Sequence, residues 1–197
     1  MRSCAGVADR QAALRATLVA APALALHFSP GAREALVYDR PAILSGEIWR
    51  LVTGHWVHFS TGHLLWNAAV LVAAVWIGSR RGYRLIAPLL LVAAAAIGLG
   101  LLVLQARLER YGGLSGLAMA STFYVALLGL REPLPWREVC GWVLLVSVAK
   151  LGVEVWTGQS PFVRFEDGIR LAPLSHLIGA AVGAAAALRP LRADEGG

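Results

Sequence analysis

Residues 85–106 read LIAPLLLVAAAAIGLGLLVLQA, without one Asp, Glu, Lys or Arg. A helix of that length, rising about 1.5 Å per residue, covers the roughly 30 Å hydrocarbon core of a bilayer. The same pattern extends in both directions. Residues 51–79 and 111–130 carry no such charge, nor do 16–32 and 171–188, and 139–156 carries only Lys150 and Glu154. Over the whole chain 57% of residues are apolar and 15% charged, against about 25% charged in soluble domains, so the solvent this chain is built for is lipid. Six helices are predicted, at about 13–29, 62–79, 84–105, 114–130, 138–156 and 171–188. The expected fold class is an all-α polytopic membrane protein forming one domain over residues 1–197, with no linker and no tandem repeat. Ala23-Leu24-Ala25 resembles a signal-peptide cleavage site, but removing the first run would leave five helices, and the polar residues favour six.

The net charge of +6 does not point to nucleic acid, because the arginines are scattered between apolar runs and do not cluster on one face. With the N-terminus in the cytoplasm, ten arginines fall on inner segments and seven on outer ones, the sign of the positive-inside rule. Both termini are then cytoplasmic. Trp49, Trp56, Trp76, Trp136, Trp142 and Trp156 fall near predicted helix ends, as interfacial anchors do. Cys4 and Cys140 both fall on the inner side, where no structural disulfide is expected.

Polar groups inside a bilayer are costly and usually functional. Helix counting puts the starts of helices 2, 4 and 6 on the outer side. His63 and Asn67 sit in the first turns of helix 2, Ser115 opens helix 4, and His176 lies in the second turn of helix 6. All four therefore share one depth. Gly112-Gly113-Leu114-Ser115-Gly116 is a small-residue turn entering a helix, whose first N–H groups have no partner one turn back and are suited to an oxyanion. A serine needs a base to become a nucleophile, and His176 is the histidine available in helix 6. Helices 4 and 6 contain no Asp or Glu, so the expectation is a Ser-His dyad. His63 and Asn67, four residues apart, share a helix face and can both donate to an oxyanion.

Each residue also has a plainer reading: Ser115 as a helix cap, Asn67 as interhelical glue, His63 as an interfacial group. Lys150 and Glu154 read as an interfacial pair snorkelling toward water. The zinc-protease pattern His-Glu-x-x-His is absent, and every Asp lies in a tail or loop. His55, His58 and His63 lack a helical i,i+4 pair and a nearby carboxylate, so no metal and no other cofactor is expected. A small transporter would need broken helices or a charged pore.

These residues resemble a known family. Trp49-Arg50, followed by His58, His63 and Asn67, is similar to the loop-1 and helix-2 signature of the rhomboid intramembrane serine proteases. Gly113-Leu114-Ser115-Gly116 resembles the rhomboid Gly-x-Ser-Gly motif, and Ser175-His176 with Gly179 and Gly183 resembles the helix-6 motif. The resemblance implies Ser115 and His176 as catalytic residues, with His63, Asn67 and the Ser115 N–H as the oxyanion hole. It implies a close approach of helices 4 and 6 at Gly179 and Gly183. Helix 5 and the loop 157–170 would gate and cap the site, with Phe162 and Phe165 as plugs. The implied partners are the lipid bilayer and a membrane-protein substrate with a transmembrane helix, cut at the outer face of a bacterial inner membrane. The short chain and the run Tyr38-Asp39-Arg40 resemble the rhombosortase branch, implying surface proteins with a C-terminal Gly-Gly, helix and basic-tail signal. Met119 stands where many rhomboids carry an aromatic against the catalytic histidine. Relatives that bind clients without cutting them usually lack the serine or the histidine; both are present here.

Overall fold

The computed structural model describes residues 4–158 and 172–189. Helix α1 (Cys4–His27) is followed by α2 (Pro30–Leu36), strand β1 (Tyr38–Asp39), α3 (Arg40–Leu44), α4 (Arg50–Thr53) and a single 3-10 turn, Gly54–Trp56. Then come α5 (Thr61–Arg80), α6 (Ile86–Leu104), β2 (Arg110–Tyr111), α7 (Ser115–Gly129), α8 (Trp136–Thr157) and α9 (Pro173–Leu188). Among the described residues α5, α6 and α8 are long and apolar enough to cross a membrane, and α1 with α2 qualifies as a pair bent by 114°. Helices α7 and α9, with 15 and 16 residues, are shorter. This is an all-α integral membrane protein.

Burial follows helical periodicity but polarity does not. In α6 the buried residues Ile86, Leu89, Leu90, Ala93, Ala94, Ile97 and Leu101 form one stripe. The opposite side exposes Leu91, Val92, Leu99, Val103 and Leu104. A helix apolar on both faces faces lipid on one of them. Helix α1 buries Ala12, Ala16, Ala20 and Ala23 at helical spacing and packs on α5; alanines let two backbones approach. It begins earlier than the apolar run predicts. Near its start Asp9 meets Arg80 at the end of α5 at 2.7 Å, a half-exposed pair that contributes little by itself, and Ala12 is already buried.

Helix α7 lies at the centre, touching α5, α6, α8 and α9, and is buried along nearly its whole length. Small residues make this possible. A Cβ on Gly179 would fall on the Gly116 carbonyl oxygen, and one on Gly183 on the Ala120 carbonyl oxygen. Helix α9 thus lies on the bare backbone of α7. Helix α8 is peripheral, burying only Cys140, Leu151 and Glu154.

The segment between α1 and α5 folds over one end of this bundle. β1 pairs antiparallel with β2, matching Tyr38 with Tyr111 and Asp39 with Arg110. The Tyr38-Asp39-Arg40 run is built into this joint. Tyr38 is buried, the Asp39 carboxylate accepts the Ala42 N–H at 3.0 Å as the N-cap of α3, and Arg40 donates to the Leu102 carbonyl at the end of α6 at 2.6 Å. Arg50 is the clasp of the same segment. Its guanidinium donates to the Glu34 and Val37 carbonyls at 2.8 and 2.9 Å and to Glu47 at 2.7 Å. Arg50→Ala is expected to lower stability by about 1–3 kcal/mol, since three charge-assisted bonds are lost and the partly buried Val37 carbonyl is left unpaired. Thermal unfolding in micelles measures this, and Arg50→Lys should recover little of it, because an ammonium lacks the guanidinium fork.

At the opposite end, Glu132 accepts from Arg81 and from the Tyr83 hydroxyl, and the Arg81 guanidinium stacks 4.0 Å from the centroid of the Trp136 ring. Burial, and then the bond to Glu132, push the Tyr83 hydroxyl up to about 12, so it remains a donor. This cluster joins the turn after α5 to the turn before α8.

Candidate active site

Among the described residues nearly all buried polar side chains collect at the other end: His55, His58, His63, Asn67, Glu154, Ser175 and His176. They come from the starts of α5 and α9, the 3-10 turn and the loop after it, and the end of α8.

The serine turn is held from beneath. Gly113 has φ +141°, a conformation open to glycine and strained for other residues. A Cβ there would stand 3.0 Å from His63 Cε1, so the glycine also makes room for that ring. The Leu114 N–H donates to His58 Nε2 at 3.2 Å. His58 Nε2 is therefore an acceptor, which places the ring proton on Nδ1, facing the Trp56 carbonyl at 3.3 Å. His58 is fully buried and meets His63 edge to face, centroids 5.2 Å apart. It is a brace under the serine turn, one bond removed from the serine itself.

The plain reading of Ser115 as a cap does not hold. Leu114 occupies the N-cap position of α7 and makes no side-chain cap bond; Ser115 is the first helical residue. Between 111 and 121 Ser115 alone is not buried. The first backbone bond of this helix runs from the Ala118 N–H to the Leu114 carbonyl, so the Ser115, Gly116 and Leu117 amides precede any intrahelical acceptor. The buried Tyr111 hydroxyl donates to the Gly113 carbonyl at 3.2 Å and lies beside the Ser115 and Ser175 side chains. Sequence reading passed over Tyr111, whose importance comes from the β1–β2 pairing.

His63 and Asn67 are both buried on α5. The Ser60 hydroxyl accepts the His63 N–H at 3.3 Å and caps α5. Asn67 Nδ2 is buried with no hydrogen-bond partner among the described residues. His63 is close enough to His176 and Lys150 for their charges to interact. His176 is 3% exposed and follows Ser175, whose carbonyl faces Gly116. Trp49 is half exposed at the segment's outer edge, while Arg50 clasps that segment inward.

Lys150 and Glu154 are not a snorkelling surface pair. Glu154 is 0% exposed. Its Oε1 accepts from Lys150 Nζ at 2.6 Å, and its Oε2 lies 2.7 Å from His176 Nδ1. Lys150 Nζ is 3.4 Å from that same nitrogen. Met119 packs with Leu151, Ala180 and Phe123. Phe162, Phe165 and most of the anticipated cap fall in 159–171, outside the described residues. Among the described residues no group of three His, Cys, Asp or Glu side chains is placed to hold a metal ion.

The result is a helical membrane protein whose short central helix opens on a serine, with buried His58 and His63 against the turn that presents it. The family model for the rhomboid domain matches residues 45–192, and the chain belongs to the rhomboid family. Members of this family are typically intramembrane serine proteases acting on membrane-protein substrates in the bilayer. Comparison with curated proteins finds no match to the chain.

Proposed function

We propose that this protein is an intramembrane serine endopeptidase that cleaves transmembrane segments of membrane-anchored proteins, with Ser115 as nucleophile and His176 as its base. The observation that carries the reading is the pattern around Ser115: it alone between 111 and 121 is not buried, its turn meets buried His58 and His63, and α9, which carries buried His176, lies against Gly116 at Ser175 and Gly179. A lone partly accessible hydroxyl at an otherwise buried helix start supports a role in attack.

In this reading His176 Nε2 takes the Ser115 proton as Oγ bonds to the substrate carbonyl carbon. The carbonyl π pair moves onto oxygen. The Ser115 N–H, His63 and Asn67 donate to that oxyanion. Collapse breaks the C–N bond, and His176 returns the proton to the leaving nitrogen. Water then hydrolyses the acyl-enzyme by the same steps. The partnerless Asn67 Nδ2 supports its role. A buried unpaired donor costs about 1–3 kcal/mol, and one kept at a reactive site is accounted for by a bond formed during the reaction.

Six spans complete the topology, from α1, α5, α6, α7, α8 and α9. At about 1.5 Å per residue α7 and α9 are short for a bilayer, but α7 is surrounded by protein and need not match lipid thickness. An even number of spans puts both termini on one side, the cytoplasmic side by arginine bias, with the site near the outer face of a bacterial inner membrane. The substrates would carry a C-terminal Gly-Gly, helix and basic-tail signal, a reading that rests on the likeness to the rhombosortase branch.

A serine-directed fluorophosphonate tests the chemistry without a known substrate. It should label wild type at Ser115, as mapped by mass spectrometry, and His176→Ala should slow labelling by about 100-fold or more. A protein that resists the probe, or takes it elsewhere, is better read as a client-binding relative without activity.

A further inference from the structure

We propose that Glu154 is the positioning residue of this site, a buried carboxylate on α8 that fixes the tautomer and orientation of His176. This rests on the protease reading above and adds a third member to the Ser-His pair.

The argument is one of donors and acceptors. Paired with the Lys150 ammonium, the Glu154 carboxylate accepts at both oxygens: Oε1 from Lys150 at 2.6 Å, Oε2 from His176 Nδ1 at 2.7 Å. Lys150, although 3.4 Å from Nδ1, is a donor only and cannot take the Nδ1 proton. The imidazole proton therefore sits on Nδ1, and Nε2 keeps its lone pair, the form a general base requires. A merely structural ion pair explains neither the complete burial of Glu154 nor its second oxygen on the ring. Burying a carboxylate costs several kcal/mol unless its oxygens are satisfied. Here one is satisfied by Lys150 and the other by the group that becomes charged in the reaction. Lys150 balances the carboxylate, and the imidazolium formed on proton transfer is stabilised by Glu154.

Helix geometry supplies the alignment. Glu154 is near the end of α8 and His176 near the start of α9, so the two meet at one depth. Gly158, with φ +67°, ends α8 with its N–H on the Glu154 carbonyl at 2.9 Å.

The test compares Glu154→Gln with Glu154→Asp, following fluorophosphonate labelling of Ser115 over a range of probe concentrations in liposomes. Gln keeps volume and loses charge; Asp keeps charge and loses a methylene. In the Gln variant Lys150 claims the amide oxygen. The amide NH2 then faces Nδ1, which must accept, and the ring proton moves to Nε2. The maximal labelling rate constant should fall by about 100-fold or more for Gln and about tenfold for Asp, with half-saturating concentration changed less than about threefold, as loss of the correct tautomer predicts. Thermal unfolding of both variants, measured alongside, separates a loss of chemistry from a loss of fold. Gln equal to or faster than Asp, or within about threefold of wild type, overturns the assignment, since that is the order a volume-filling role gives. Wild type that is not labelled at all overturns the protease reading, and the role of Glu154 with it.

Discussion

Ser115→Ala is expected to abolish proteolysis, by about 10⁴-fold or more, while leaving the bundle intact. The substitution removes one oxygen atom. That atom caps nothing, because Leu114 is the N-cap of α7 and makes no side-chain cap bond. The turn is held instead by the Leu114 N–H on His58, the Tyr111 hydroxyl on the Gly113 carbonyl and the β1–β2 pairing, none of which involves the serine oxygen. Alanine is also the better helix former. Loss of activity with an unchanged unfolding temperature therefore separates chemistry from folding, and a measurable residual rate would be carried by the oxyanion donors alone.

Gly179→Val should be nearly as damaging through a different cause. The valine Cβ would fall on the Gly116 carbonyl oxygen and stand 3.4 Å from the Ala120 N–H nitrogen. Backbone cannot yield as a flexible side chain does, so α9 must move away from α7. The expected cost is about 3 kcal/mol or more. His176, three residues earlier on α9, moves with the helix. A shift of about 1 Å between nucleophile and base lowers the rate by about 100-fold. Gly152→Ala on α8 is the control: nothing lies within 4 Å of its Cβ position, and stability and activity should both be retained. Cleavage and thermal unfolding of the two variants, measured in parallel, decide this.

The reach of the sequence can be judged from these residues. The shared depth of His63, Asn67, Ser115 and His176 can be read from the sequence because alternating helices return to one side of the membrane and position within a helix sets depth; the contacts that show part of it are His63 by Gly113 and α9 against Gly116. The same arithmetic reaches Glu154, which stands as far from the end of α8 as His176 from the start of α9. It was passed over because Lys150 four residues earlier supplied a sufficient surface explanation, and because an acid was sought only in α7 and α9. Burial distinguishes the two readings, and sequence spacing does not encode which face of α8 meets α9. The β1–β2 pairing was also out of reach, since two residues carry no periodicity. Tyr111 and the structural work of Tyr38, Asp39 and Arg40 depend on that pairing. Arg50 was found as a motif partner of Trp49, but its carbonyl acceptors become visible only once the loop is folded. The early start of α1, where Asp9 meets Arg80 at the end of α5, carries no signal in the apolar run.

The most direct test of Ser115 as nucleophile and His176 as base is cleavage in liposomes of a reporter bearing a Gly-Gly, transmembrane helix and basic-tail C-terminus, alongside generic helix-unstable reporters. Wild type should cut, with mass spectrometry placing the cut within or beside the transmembrane segment, and Ser115→Ala and His176→Ala should both be silent. Cutting by Ser115→Ala at the wild-type rate, or wild type silent on every reporter, would contradict the assignment.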